Sequence, residues 1–186
     1  ENKIQKDRIE TRQTLLKAKE ALLGYLVSYN VPPRNIADMG KLPCPDANAL
    51  LPVSLATDER EGIQDDDCAG RGINTFGFFP FKTVGLGKIE DSANECLWYF
   101  VSGDYKNSTI DKTKMLNWDS IGYLNLKDEN GSLKHGTLPD DFPVAFIISP
   151  GASISQNRTP VAELPSCRAN FNITEYLEGG PINYAS

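Results

Sequence analysis

Thr14-Leu15-Leu16-Lys17-Ala18-Lys19-Glu20-Ala21-Leu22-Leu23-Gly24-Tyr25-Leu26-Val27-Ser28-Tyr29 decides how this chain folds. Leu15, Ala18, Leu22, Leu26 and Tyr29 recur at three- and four-residue spacing, which draws one apolar stripe along an α-helix. Toward the N-terminus the stripe gives out: Ile4 and Ile9 stand nearly alone among Lys3, Lys6, Asp7, Arg8, Glu10 and Arg12. Toward the C-terminus no Pro, and no Gly except Gly24, intervenes before Val31-Pro32-Pro33. The pattern predicts a helix over 1–30. At ~1.5 Å per residue it would be about 45 Å long, far longer than the average globular helix of about 11–12 residues. Its C-terminal half has a face to bury and its N-terminal half has almost none. A polar stem of this kind implies that a further segment precedes it, and a start at Glu1 instead of Met implies a processed or trimmed product.

Beyond the helix the chain changes character. Residues 31–75 are rich in Pro, Asp, Asn and Gly, with Leu42-Pro43-Cys44-Pro45-Asp46 and Asp65-Asp66-Asp67-Cys68 as the clearest runs. A connection of that length is kept in a compact protein when it is tied down or functional. Aromatic and β-branched runs follow at Phe76 to Phe81, Cys96 to Val101, Ser120 to Leu126 and Val144 to Ser149, each bounded by Gly, Asn or Asp. Asp128-Glu129-Asn130-Gly131 reads as a turn between Tyr123–Leu126 and Ser132-Leu133. Pro80 and Pro143 place their segments at a sheet edge or a strand start. One long helix, a loop region and then strands without further long helices make an α+β plan, with the helix packed on one face of an antiparallel sheet.

Length and composition fit one domain over 1–186, divided into the helical stem 1–30, the irregular region 31–75, and the sheet with a C-terminal segment over 76–186. No apolar run reaches the ~18–20 residues needed to cross a bilayer. The net charge is −6; residues 1–20 carry six basic and four acidic side chains, so the remainder carries 13 basic and 21 acidic. An acidic body lacks the clustered Lys and Arg that displace counterions from nucleic acid, so no nucleic-acid partner is expected.

Four widely spaced cysteines, Cys44, Cys68, Cys96 and Cys167, include no C-x-x-C pair, and His135 is the one histidine. A structural zinc site brings its ligands in closely spaced pairs, so the spacing argues for disulfides in an oxidising compartment. Of three connectivities, Cys44–Cys68 with Cys96–Cys167 is favoured. The first pair brackets one loop and the second ties the sheet to the C-terminal segment; the alternative is four buried free thiols.

The residues then carry a resemblance. Segment 8–29 is similar to the first helix of type IV pilin-like proteins, where it follows a prepilin signal and a hydrophobic half-helix. Further matches in order are Gly40-Lys41-Leu42-Pro43-Cys44-Pro45-Asp46, Cys68, and Gly77-Phe78-Phe79-Pro80-Phe81-Lys82-Thr83-Val84-Gly85-Leu86. Leu97-Trp98-Tyr99-Phe100-Val101, Val144-Ala145-Phe146-Ile147-Ile148-Ser149-Pro150-Gly151 and Tyr176-Leu177-Glu178-Gly179 complete the series. The resemblance implies a minor pilin or a type II secretion pseudopilin, a structural subunit of a bacterial filament assembling through its N-terminal helix. It also implies other pilin or pseudopilin subunits as partners and an inner-membrane anchor in a preceding half-helix. The protein would face the periplasm before entering a periplasmic or cell-surface filament.

Catalytic readings find little to stand on. A Ser-His-Asp or Cys-His site needs a histidine base, and His135 sits in Ser132-Leu133-Lys134-His135-Gly136 without a nucleophile motif. Gly70-Arg71-Gly72 and Gly85-Leu86-Gly87 fall short of a phosphate-binding fingerprint. No enzyme activity and no cofactor are expected. Asp58-Glu59-Arg60-Glu61-Gly62-Ile63-Gln64-Asp65-Asp66-Asp67 is the best candidate for calcium, which takes six to eight oxygen ligands. It lacks the alternation of an EF-hand loop, so a solvated acidic loop anchored by Cys68 is the preferred reading and no metal is assigned. Sequons at Asn107, Asn157 and Asn172 read as chance matches in a bacterial protein and are compatible with surface loops. The alternative function is an adhesin-like module that recognises a carbohydrate or protein, with or without calcium.

Overall fold

The computed structural model describes residues 2–28, 39–47, 60–65, 68–107, 114–128, 130–138, 140–152 and 167. Helix α1 spans Asn2–Val27 and is followed by β1 (Thr75–Phe78), β2 (Trp98–Val101), β3 (Leu126–Lys127), β4 (Leu133–His135) and β5 (Ala145–Ile148). Strands β1, β2 and β5 form an antiparallel sheet in the order β1-β2-β5, and β3 and β4 form a separate two-stranded ribbon. The plan is α+β.

The helix is built mostly from Lys, Glu, Gln, Arg, Leu and Ala, all good helix formers. It ends where the Ser28 hydroxyl donates to the Tyr25 carbonyl, 3.1 Å away, and the Gly40 N–H reaches back to the Leu26 carbonyl at 3.1 Å. These contacts satisfy carbonyls that a helix end leaves open. The helix ends at Val27, and Tyr29 and Asn30 lie outside the described residues. Ala18 and Leu22 are buried, with Leu15 and Leu26 packed beside them. Tyr25 also turns inward, its hydroxyl donating to Gln64 Oε1 at 3.3 Å.

Alternation along the strands divides the core into two layers. On the helix side Leu97, Tyr99 and Val101 meet Ala18, Leu22, Phe79 and Phe81. On the far side Phe78, Trp98 and Phe100 pack with Cys96, Leu124 and Cys167. Aromatic rings fill this second layer: Phe78 and Trp98 lie 4.5 Å apart between centroids, and Phe76 stacks on Phe100 at 5.6 Å. Both faces of β2 are buried, which explains its unbroken apolar run.

The described parts of residues 39–74 contact this sheet at several points. Disulfides join Cys44 to Cys68 and Cys96 to Cys167, each with a Cα–Cα distance of 5.8 Å. Asp46 exchanges two backbone hydrogen bonds with Phe78 at 2.9 and 3.0 Å, closing the outer edge of β1 there. Leu42 forms a parallel bridge with Lys106. The close approach requires Gly77: a Cβ on it would stand 2.7 Å from the Asp46 carbonyl oxygen and 2.9 Å from Pro45 Cβ.

Two strand expectations are corrected. The run Phe76 to Phe81 ends as a strand at Phe78, because Phe81 begins a turn in which Gly62 O accepts the Lys82 and Thr83 N–H groups. Ser120 to Leu126 is strand only at Leu126. Its backbone is satisfied singly, by Gly122 N–H to Phe142 O at 2.8 Å and Tyr123 N–H to Ser102 Oγ at 3.2 Å. The expected turn at Asp128 forms, with the Asp128 carboxylate accepting the Asn130 and Ser132 N–H groups.

Candidate functional site

The N-terminal part of α1 has no body beneath it. Asn2 to Glu10 is exposed apart from a half-covered Asp7. Thr11 is where the helix first hydrogen-bonds the sheet domain, its Oγ1 lying 2.9 Å from Ser92 Oγ. At ~1.5 Å per residue that leaves about 13 Å of helix standing clear. Lys6 and Glu10 form an i,i+4 ion pair on it at 3.7 Å, a contact of a few tenths of a kcal/mol at most. Among the described residues no helix is long and apolar enough to cross a membrane.

Farther along the same helix lies a groove of ≈ 570 Å³. One wall is Leu16, Leu23 and Leu26; the other is Leu116, Val144 and Ile147. Leu16 and Leu23 remain 47% and 52% exposed, a large apolar content for an open surface. The groove keeps its shape through backbone ties, since Gly40 links Leu26 O to its own N–H and accepts the Leu116 N–H at 2.7 Å. Arg12 and Lys19 add two exposed cations to the lining. Adjacent to it, Asn117 to Ser120 closes a tight turn held by Ser120 Oγ, which bonds both Asn117 N–H and Asn117 Oδ1. Trp118 on that turn is 96% exposed.

The titratable side chains below the surface are structural. Asp91 accepts from Ala93 and Glu95 N–H through Oδ1, and from Ser149 Oγ and Gly151 N–H through Oδ2, so one carboxylate joins a turn to the end of β5. Asp104 is held below the ordinary carboxylate range: burial pushes its pKa up, but Lys114, 2.7 Å away, outweighs this with help from Tyr123 and Arg71. Burial drives the Tyr99 phenol well above its usual value, with Tyr25 adding to the effect, and its hydroxyl donates to Pro43 O at 3.2 Å.

Lys106 is fully covered, its Nζ donates to the Ile73 carbonyl, and burial lowers its pKa to about 8. An unfolded lysine titrates near 10.4, so between about pH 8 and that value the unfolded chain holds a proton that the folded chain lacks. The Lys106 contribution therefore makes stability rise with pH across this window. Lys106→Met is expected to remove that rise and to stabilise the fold at pH 7 by about 1 kcal/mol. The check is the difference between urea-unfolding free energies of variant and wild type from pH 7 to 10.5, which must shrink as pH rises.

The sequence-derived candidates fall in different places. Leu15, Ala18, Leu22 and Leu26 share the helix face, and the four cysteines form the two bridges that hold the core. His135 lies exposed on β4, 6.5 Å from the Phe146 ring between centroids. Of the acidic stretch, Asp58, Glu59, Asp66 and Asp67 lie outside the described residues. Glu61 and Asp65 are engaged: Glu61 Oε1 accepts the Cys167 N–H at 2.9 Å and Asp65 Oδ2 the Ala47 N–H at 3.1 Å. Among the described residues no cluster of three His, Cys, Asp or Glu side chains could hold a metal ion. Asn107 is half-buried at the described chain's surface, and Asn157 and Asn172 lie outside it. The groove escaped sequence reasoning, although Leu16 and Leu23, one heptad apart beside the buried stripe, are its signature. No family model, curated protein or solved structure matches this chain.

Proposed function

We propose that this chain is a non-enzymatic assembly subunit of pilin-like type, a minor pilin or pseudopilin that joins a bacterial type IV pilus or type II secretion filament through its N-terminal helix. The observation that carries the reading is α1 itself. Its C-terminal half is fixed on an antiparallel sheet, whereas Asn2 to Glu10 is helical, polar and unsupported. A helix continued into an apolar half-helix would place that polar stretch between a membrane or filament core and the head. Two disulfides support an oxidising, exported location. The proposed partners are other pilin or pseudopilin subunits and, by way of an apolar half-helix ahead of α1, the inner membrane.

The reading makes a graded test. This chain alone is expected to sediment as a monomer at micromolar concentration, because Ile4 and Ile9 on the polar stretch of α1 offer little apolar area for an interface of ~1,200–2,000 Å². Joining ~20 apolar residues ahead of Glu1 should give membrane insertion and incorporation into a filament. His135→Ala should leave that incorporation unchanged. Turnover of a substrate by the purified chain, abolished by His135→Ala, overturns the reading.

An adhesin-like module is the second reading, and the groove beside α1 favours it. Its walls are leucine, isoleucine and valine with few polar groups, which suits an apolar peptide better than a carbohydrate.

A further inference from the structure

We propose that the groove between α1 and β5 is a docking site for an extended, acidic-flanked segment of a partner protein, which adds to the open edge of β5. This goes beyond the assembly role and does not depend on it. Three observations converge on one kind of occupant.

The first is the sheet edge. Pairing of β2 with β5 sets Val101 opposite Ala145 and Tyr99 opposite Ile147. The neighbouring pair is hydrogen-bonded, Ser102 N–H donating to Val144 O at 2.8 Å. Antiparallel pairs alternate between bonded and non-bonded, so the N–H and C=O groups of Ala145 and Ile147 point away from β2. Among the described residues nothing hydrogen-bonds to them on that side. Unpaired main-chain donors and acceptors select an extended chain, because a helix satisfies its own.

The second is the groove beside that edge. Ala145 and Ile147 line it together with the leucines of α1. A strand laid along β5 therefore turns alternate side chains into an apolar slot while its backbone completes the ladder.

The third is chemistry at the margins. Arg12 and Lys19 line the groove and form no ion pair with any described residue. They favour carboxylates on the incoming segment, by steering and by pairing. Trp118 stands exposed on its rigid turn next to Asn117, which also lines the groove. Exposed tryptophan on an ordered turn is the residue type that dominates protein–protein contact energies.

The experiment uses the full 186-residue chain and an array of synthetic nine-residue peptides. All alternate apolar with polar residues; they carry Glu, Lys or Gln at both ends, and a matched set has Pro at the centre. Acidic-flanked peptides are expected to bind and to slow hydrogen exchange of the Ala145 and Ile147 amides, read by NMR. The Lys-flanked and Pro-containing sets should bind at least ten-fold more weakly. Trp118→Ala and Lys19→Glu should each weaken binding about ten-fold without moving the thermal melt, since both side chains are exposed. Four outcomes overturn the proposal: no array member binds; peptides bind without protecting those two amides; phosphatidylglycerol vesicles bind in a Trp118-dependent way while peptides do not; or the amides are already protected in a concentration-dependent dimer.

Discussion

Replacing Cys96 and Cys167 together by Ser is expected to destabilise the protein by about 4 kcal/mol, and replacing Cys44 and Cys68 by about 3. The difference follows from the chain enclosed, since the two bridges span sequence separations of 71 and 24 residues. Loop-closure entropy grows slowly with that length. The apolar surroundings of the longer bridge reinforce the order. Cys96 and Cys167 sit at 3% exposure in the aromatic layer with Trp98 and Phe100, where a serine hydroxyl has an apolar environment. The Cys44 segment has other ties, because Asp46 pairs with Phe78 and Leu42 with Lys106 in addition to the disulfide. Urea unfolding of the two double variants measures both. If the Cys44–Cys68 variant is the less stable one, the irregular region, and not the aromatic layer, limits stability.

Leu22→Ala is expected to cost about 2–5 kcal/mol and Lys6→Ala less than about 0.5. Leu22 is buried in the helix-side core against Leu97, Tyr99 and Val101, and truncation leaves a void that the strand backbone cannot collapse to fill. Lys6 lies on the exposed stretch of α1, where its truncation loses one exposed ion pair. The contrast in denaturant melts maps which half of the helix belongs to the folded body. Equal costs would mean that α1 packs through another face.

The parts of this fold written most clearly in the sequence are those with a strong local period. The stripe Leu15–Ala18–Leu22–Leu26 predicts both the helix and its buried side, and the helix does pack on an antiparallel sheet through it. Trp98–Val101 and Ala145–Ile148 fall inside expected strands because their residues are aromatic or branched throughout. Ser120 to Leu126 misleads for a tertiary reason: Gly122 packs so tightly on Pro143 that a Cβ there would lie 2.0 Å from the Pro143 oxygen, and no continuous ladder forms. The local pattern carries the helix on toward residue 30, whereas Ser28 and Gly40 close it through hydrogen bonds, one of them from a distant residue. The groove is legible only through Leu16 and Leu23, which stand outside the buried stripe. It exists because Leu116, contributed from 90 residues beyond Leu26 by their numbering, is drawn beside the helix through Gly40.

The two margins of the central sheet are treated differently, and this sets a combining number. At β1 the margin is sealed at Phe78 by Asp46, whereas at β5 the groups of Ala145 and Ile147 face outward. A ribbon that grows strand by strand needs an acceptor on each side of every unit. A unit with a single acceptor can be joined once and then terminates the row. Among the described residues, growth through the Phe78 position is therefore blocked, and a strand that arrives at β5 finds no matching acceptor there on the opposite margin.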